Sequence, residues 1–154
     1  MVGPRSTADD GLLADAAEVG AGLARAGAVV VTGGLGGVMA AAARSAHEAG
    51  GLVVGVLPGS DAGTANEWVD VALPTGMGEG RNVLVVRAAA VVVAVGGSWG
   101  TLAEVALARR IGRPVISLHG WAVDGPPAGD GPVVVDSAAD AVRAAVSLLS
   151  GSPS

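Results

Sequence analysis

The sequence predicts an α/β fold in which a doubly wound parallel sheet is covered by helices on both faces. Short runs of small apolar residues alternate along the chain with segments whose apolar residues recur at helical spacing. The apolar runs are continuous, which is typical of strands buried on both faces. The connections are short, so the pattern predicts a single Rossmann-like domain over residues 1–150, followed by a tail at 151–154.

The first predicted elements alternate strand and helix. Residues 1–4 are expected to be the end of a strand that starts upstream, since a buried strand usually runs about five residues. Apolar residues at helical spacing from residue 7 predict a helix that Gly27 ends. A valine-rich strand over 28–32 and a helix over 38–49 follow.

The middle of the chain repeats this alternation. Residues 52–57 form an apolar run that predicts a strand, and the composition of 58–68 predicts a loop. A short strand over 69–73 and a helix over 79–89 are separated by a glycine-rich turn. They lead into 88–95, an apolar run that predicts the central strand.

The last third of the chain is predicted to contain two more strands and two more helices. Apolar residues at helical spacing predict helices over 102–110 and 138–149. Short valine-rich or isoleucine-rich runs predict strands over 114–118 and 132–135. Residues 119–131, rich in glycine, proline and aspartate, are expected to form a loop.

Composition limits the classes of function. The chain has 154 residues, of which 51% are hydrophobic and 15% charged, as suits one domain with a large core. Its net charge of −5 argues against binding duplex nucleic acid, which depends on clustered cations. Its longest apolar run is shorter than the roughly 20 residues of a membrane helix, and residues 1–10 lack a secretory pattern. We expect a cytoplasmic protein that engages no membrane.

Two residue types are absent from the sequence, and their absence excludes several kinds of functional site. Cysteine is absent, which removes disulfides, thiolate nucleophiles and cysteine-ligated zinc. Lysine is absent, which removes an internal Schiff base and a Walker-type phosphate lysine. His47 and His119 are predicted on a solvated helix face and at a strand end, so no metal site is expected. An anion would have to be bound by arginine.

Two glycine-rich turns connect predicted strands to predicted helices. Such turns place unpaired backbone N–H groups and the positive end of a helix at the carboxyl edge of the sheet, where phosphate binds readily. One such contact contributes only about 0.3–1 kcal/mol, so a site should recruit both turns and an arginine. The predicted ligand-binding residues are Gly33, Gly34, Gly36, Gly37, Met39, Asn82, Gly96, Gly97, Ser98, Trp99, Gly100 and Thr101.

The first turn departs from the dinucleotide-binding pattern. Met39 stands in place of the third glycine of G-x-G-x-x-G. The strand that follows, 52–57, ends without the acidic residue that would bind the ribose hydroxyls. NAD is therefore not the expected ligand.

The second turn matches the G-x-S-x-G nucleophile elbow around Ser98. A serine hydrolase of that type also needs an acid and then a histidine later in the chain. The only later histidine is His119, no aspartate lies between the two, and Glu104 belongs to the adjacent predicted helix. Ser98 is therefore interpreted as a hydroxyl of the phosphate-binding turn.

Two charged residues are candidates for the same sheet edge. Arg81 is predicted in the first turns of the helix that leads to the central strand. It is either a surface arginine or a cation that holds the ligand. The glycines around it are costly in a helix, so they favour a role in ligand binding as much as a place on the surface. Glu104, one turn after Thr101, either caps its helix or pairs with an arginine, or points into the pocket.

Three segments resemble, in order, the motifs of the LOG family, whose members were long mislabelled as lysine decarboxylases. They are residues 33–39, Arg81 with Asn82, and residues 97–104. The Gly-Gly-x-Trp-Gly-Thr form of the last segment, together with 76–82, resembles a shorter branch that includes molybdenum-cofactor carrier proteins. The resemblance implies a Rossmann-like fold and a homodimer.

The resemblance implies two alternative activities. LOG enzymes are phosphoribohydrolases that cleave the N-glycosidic bond of nucleoside 5′-monophosphates, and their P-G-G-x-G-T-x-x-E motif falls on residues 96–104. Arg81 and Glu104 would then be the catalytic residues. In a carrier, the same turns would hold a phosphorylated pterin such as the molybdenum cofactor without turnover, and no further cofactor would be required.

Three departures from the LOG motifs weigh on this choice. Gly96 stands in place of the proline, Ser98 in place of the second glycine, and Asn82 where the enzymes carry lysine. Arg81 and Glu104 leave hydrolysis open, because a carboxylate near the sugar can stabilise an oxocarbenium-like centre. The missing lysine favours the carrier. We therefore expect a carrier-like protein that binds a phosphorylated small molecule, with the phosphoribohydrolase as the alternative.

Overall fold

The computed structural model describes residues 1–6, 9–122 and 131–151. Within these ranges helices and strands alternate as predicted. The helices α1 to α5 are Asp10–Arg25, Val38–Glu48, Asn82–Ala88, Trp99–Arg110 and Ala138–Ser150. The strands β1 to β6 are Val30–Thr32, Val53–Leu57, Val71–Pro74, Val92–Val95, Val115–Leu118 and Val133–Val135.

The strands form two parallel sheets, ordered β1-β2-β3 and β4-β5-β6. The first residues of the chain lie between them. Val2 pairs in parallel with Ala94, and its N–H donates to the Val93 carbonyl at 2.9 Å. The amino group of Met1 donates to the Val31 carbonyl at 2.6 Å. The strand order therefore reverses at the centre of the molecule, which is where ligands bind in doubly wound folds.

Apolar side chains pack on both faces of the sheets. Along β4, Val93 and Val95 belong to the cluster that includes buried residues of α1, α2 and α5. Val92 and Ala94 face the other way and pack with buried residues of α3 and α4. The predicted α/β fold, a parallel sheet with helices on both faces, is confirmed. Because successive residues of a strand point to opposite faces, burial on both sides explains the continuous apolar run.

Two helices begin at residues other than those predicted, one because of a capping side chain and one because of glycine. The helix expected from residue 102 begins earlier, at Trp99, because the Ser98 hydroxyl accepts a hydrogen bond from a backbone N–H of its first turn. The helix predicted over 79–89 begins instead as a 3₁₀ turn, Gly78–Arg81, which leads into α3. Glycine is costly in a regular helix, which accounts for the irregular start.

The predicted central strand is shorter than expected. Its first residues, from 88 onward, end α3 and form the turn before β4. Three other predictions fall partly outside the described residues. They are the helix start at residue 7, the loop over 119–131 and the tail at 151–154.

Candidate ligand-binding site

A cleft of about 150 Å³ opens where the strand order reverses, between the two glycine-rich turns. It lies at the carboxyl ends of β1 and β4, as the motifs predict. The predicted residues that line it are Gly33, Met39, Arg81, Asn82, Ser98, Gly100, Thr101 and Glu104. The predicted residues that do not line it are Gly34, Gly36, Gly37, Gly96, Gly97 and Trp99.

The first turn shapes the wall of the cleft. A Cβ atom on Gly33 would lie 2.5 and 2.6 Å from the two terminal nitrogens of Arg81, so the missing side chain makes room for the guanidinium. The N–H of Gly34 donates to the Thr32 hydroxyl at 3.0 Å. The N–H of Val38, at the start of α2, donates to the Pro4 carbonyl at 3.1 Å. Two N–H groups of this turn are therefore occupied within the protein.

The second turn presents the amino end of α4. The Ser98 hydroxyl accepts the Thr101 N–H at 3.1 Å and lies 2.8 Å from the Thr101 hydroxyl. Across the described part of the chain, the N–H groups of Trp99 and Gly100 form no hydrogen bond. They are the orphan donors of a helix amino terminus. Gly100 lines the cleft, so this end of α4 is suited to an anion.

The far side of the second turn is covered by tryptophan. A Cβ atom on Gly97 would overlap the ring of Trp121. Trp99 is 78% exposed and meets Trp121 edge-on, with ring centroids 5.0 Å apart. His119, which follows β5, lies 3.1 Å from a carboxylate oxygen of Asp15. The histidine therefore contacts α1.

Arg81 and Glu104 form a buried pair in the cleft. Arg81 is 8% exposed and Glu104 is 7% exposed. The Nη1 atom of Arg81 lies 4.0 Å from Oε1 of Glu104. The Nε atom of Arg81 is buried and has no hydrogen-bond partner among the described residues. The interpretation of Arg81 as a surface arginine is therefore wrong, and Glu104 faces the pocket rather than capping its helix.

Burial dominates the electrostatics of this pair. It raises the pKa of Glu104 to about 7, although the charges of Arg81 and of the amino group at the start of the chain oppose that rise. Burial also lowers the pKa of Arg81, which the Glu104 carboxylate opposes and the nearby Arg5 reinforces. Arg81 is still a cation, whereas Glu104 changes charge near neutral pH.

This pKa predicts an effect of Glu104 on stability. Because the pKa rises from 4.5 to about 7 on folding, the wild-type protein loses stability as the pH rises through that interval. Glu104→Gln cannot ionise, so we expect it to exceed the wild type by about 1–3 kcal/mol near pH 8 and to match it below about pH 4. Urea denaturation measures the difference, with the exposed Glu18→Gln as control. Equal differences at both pH values would contradict the burial effect.

Gly33 predicts a second effect, on ligand binding. In Gly33→Ala the new Cβ atom must displace the guanidinium of Arg81, so we expect affinity for a phosphorylated ligand to fall roughly tenfold or more. Equilibrium dialysis measures it, and circular dichroism checks the fold. In the control Gly59→Ala, the nearest atom to the new Cβ lies 4.0 Å away. Unchanged affinity in Gly33→Ala would exclude this position from the site.

Two further properties follow from the described residues. No group of three or more histidine, cysteine, aspartate or glutamate side chains among them is arranged to hold a metal ion. None of the helices within the described ranges is both long enough and apolar enough to cross a membrane.

Several residues of the cleft were not among the predicted binding residues. Leu35 and Pro58 contribute apolar wall, Glu79 lies at the rim, and Arg5 brings a second cation. Arg5 was missed because nothing in the sequence indicates that the residues after Val2 run along the first glycine turn. Its closeness to the start of α2 is a property of the folded chain.

The fold and the cleft define a single-domain, Rossmann-like protein with a cleft at its topological switch point, where such folds bind ligands. The chain belongs to the SLOG cluster4 family, whose sequence model matches residues 1–144. The predicted resemblance to the LOG family is thereby confirmed.

Three known proteins show what this chain is similar to. The molybdenum cofactor binding protein of Rippkaea orientalis is 33% identical, with a TM-score of 0.89 over 96% of this chain and 93% of its own. The molybdenum cofactor carrier protein of Chlamydomonas reinhardtii is 36% identical, with a TM-score of 0.83 over 97% and 95%. An uncharacterised protein of Archaeoglobus fulgidus is 43% identical over 100 residues, covering 65% of this chain and 66% of that protein.

Proposed function

We propose that this protein binds the molybdenum cofactor, or a closely related phosphorylated pterin, and carries it without turnover. The observation that carries the proposal is the buried guanidinium of Arg81 in the cleft, whose Nε lacks a partner among the described residues. The two solved relatives described above are a molybdenum cofactor binding protein and a carrier protein. Their similarity extends over nearly the whole of this chain.

The residues of the cleft fit a phosphate group. Arg81 supplies a planar set of donors, and hydrogen bonds from a charged donor contribute about 1.5–3 kcal/mol each. The N–H groups of Trp99 and Gly100 lie at the amino end of α4, where the helix dipole adds to the attraction. The buried Nε of Arg81 has no partner among the described residues, so its desolvation is otherwise uncompensated.

One observation favours the phosphoribohydrolase as a second candidate. Glu104 lines the cleft, and its pKa of about 7 suits a general acid or base at neutral pH. A carboxylate there could also stabilise the positive charge that develops on the ribose ring. The carrier remains the first proposal, because Asn82 replaces the lysine of the enzymes and a carrier needs no base.

Turnover distinguishes the two candidates. Purified protein is incubated with each of the common nucleoside 5′-monophosphates, and released ribose 5-phosphate is measured beside a Glu104→Gln variant. A carrier releases none, and Glu104→Gln retains the cofactor. Release that falls about a hundredfold or more in Glu104→Gln would overturn the carrier and establish the hydrolase. Native mass spectrometry of gently purified protein identifies any ligand that remains bound.

We also propose that the protein acts as a homodimer in the cytoplasm. The resemblance to the LOG family implies the dimer, and α3 offers an apolar surface for it. Val83 and Leu84 of α3 are each 38% exposed, next to the exposed Arg87. We expect light scattering to give a dimer for the wild type and a folded monomer for Leu84→Asp. A monomeric wild type would contradict the dimer and leave the ligand proposal untouched.

A further inference from the structure

The cleft at Arg81 adjoins a second cavity, which is more open to solvent. That cavity measures about 300 Å³, and Arg5 and Leu35 line both spaces. Pockets that bury most of a drug-sized ligand usually measure about 300–1,000 Å³. The cleft and the second cavity together fall within this range, so the two spaces offer room for an extended ligand.

The backbone before Arg5 is held firmly against the first glycine turn. The Pro4 carbonyl accepts the N–H of Val38, the first residue of α2, at 3.1 Å. A Cβ atom on Gly37 would overlap the Pro4 oxygen and lie 2.6 Å from the Arg5 oxygen. This close packing fixes the backbone of Arg5 at the junction of the two cavities.

The opposite wall of the second cavity is also preformed. The side-chain amide of Asn66 donates to the Leu35 carbonyl at 2.9 Å, and its backbone N–H donates to the Gly34 carbonyl at 2.9 Å. The Thr64 hydroxyl donates to the Asp61 carbonyl at 2.8 Å. The two bonds of Asn66 join the loop after β2 to the first turn, and the bond of Thr64 lies within that loop.

Two cations meet at this junction. Arg5 forms no ion pair among the described residues; burial lowers the pKa of the Arg81 guanidinium, and the charge of Arg5 adds a smaller contribution in the same direction. Glu104 faces Arg81, and burial keeps its carboxyl largely uncharged below neutral pH. One phosphate at Arg81 would leave the exposed charge of Arg5 available for a second anionic group.

We propose that Arg5 and the second cavity bind the second phosphate of an extended ligand, so that the preferred cargo is a pterin joined by a diphosphate to a nucleoside. This inference rests on the proposed function, since it assumes the first phosphate lies at Arg81. The nucleoside then occupies the space bounded by Gly36, Thr64 and Asn66. Arginine is suited to this role because its planar donors match phosphate oxygens.

The test compares the monophosphate form of the cofactor with its nucleotide-linked diphosphate form at one ionic strength. We expect the wild type to bind the diphosphate form about tenfold more tightly, and Arg5→Gln to abolish that preference by weakening the diphosphate form more than the monophosphate. Arg25→Gln, at the exposed end of α1, is the matched control and should keep the preference. Circular dichroism confirms that both variants fold.

Each other outcome is decisive. A wild type that binds both forms equally, or an Arg5→Gln variant that keeps the preference, overturns the subsite and leaves the carrier function standing. A wild type that binds neither form overturns the carrier function itself. If Arg5→Gln lowers the affinity for both forms of the cofactor to the same extent, the assignment of Arg5 to the second phosphate is overturned.

Discussion

Replacing Arg81 with alanine should weaken binding of a phosphorylated ligand by about 1.5–3 kcal/mol, or roughly 10- to 150-fold. The side chain is buried in the wall of the cleft, and its Nε has no hydrogen-bond partner among the described residues. Removal of the guanidinium also leaves Glu104 as an uncompensated acidic group beside the bound anion. Titration of the cofactor against wild type and variant measures the loss.

The control for this prediction lies in the same region of the chain. Arg87 is in the last turn of α3 and is exposed, so Arg87→Ala removes the same charge without touching the cleft. We expect its affinity to stay within about twofold of the wild type, because exposed charges contribute little at ordinary ionic strength. An equal loss in both variants would mean that Arg81 acts only through net charge.

Replacing Gly37 with alanine should destabilise the protein by about 2–5 kcal/mol. Gly37 caps α2 with φ of 61° and ψ of −136°, a region open almost only to glycine. A Cβ atom would also overlap the Pro4 oxygen, and this atom belongs to the backbone and cannot rotate away. The backbone strain and the steric overlap both lower the free energy of unfolding, and both can be relieved only by moving the segment at the start of α2.

Urea denaturation tests this prediction against a neighbouring glycine. In Gly36→Ala, the new Cβ atom meets only the Arg5 oxygen, at 3.2 Å, and the backbone of Gly36 has no positive φ. We expect Gly36→Ala to lose much less stability than Gly37→Ala. If the two variants unfold at the same urea concentration, the close packing of Pro4 on α2 does not stabilise the fold.

The elements that sequence analysis found are those encoded locally. The apolar run ending in Val95 predicts β4 because both faces of that strand are buried. The two glycine-rich turns predict the sheet edge because each connects a strand to a helix. Apolar periodicity does not fix where a helix starts, since the start of α4 depends on the hydroxyl of Ser98.

The features that sequence analysis could not decide depend on tertiary packing. The burial of Arg81 follows from the 3₁₀ turn that carries it beneath Gly33, which no local pattern specifies. The role of Arg5 depends on the Pro4 carbonyl docking on α2. The same contact occupies the Val38 N–H, so the first turn offers an anion fewer donors than its glycines suggest.

Retention of the molybdenum cofactor by the purified protein tests the proposed function most directly. The protein is incubated without oxygen with cofactor released from a molybdoenzyme, separated by gel filtration, and assayed for molybdenum and for the fluorescence of the oxidised pterin. We expect near-stoichiometric retention by the wild type and by Arg87→Ala, and loss of most of it in Arg81→Ala. A wild type that retains no cofactor, or an Arg81→Ala variant that retains as much as the wild type, would contradict the proposed function and the site assigned to it.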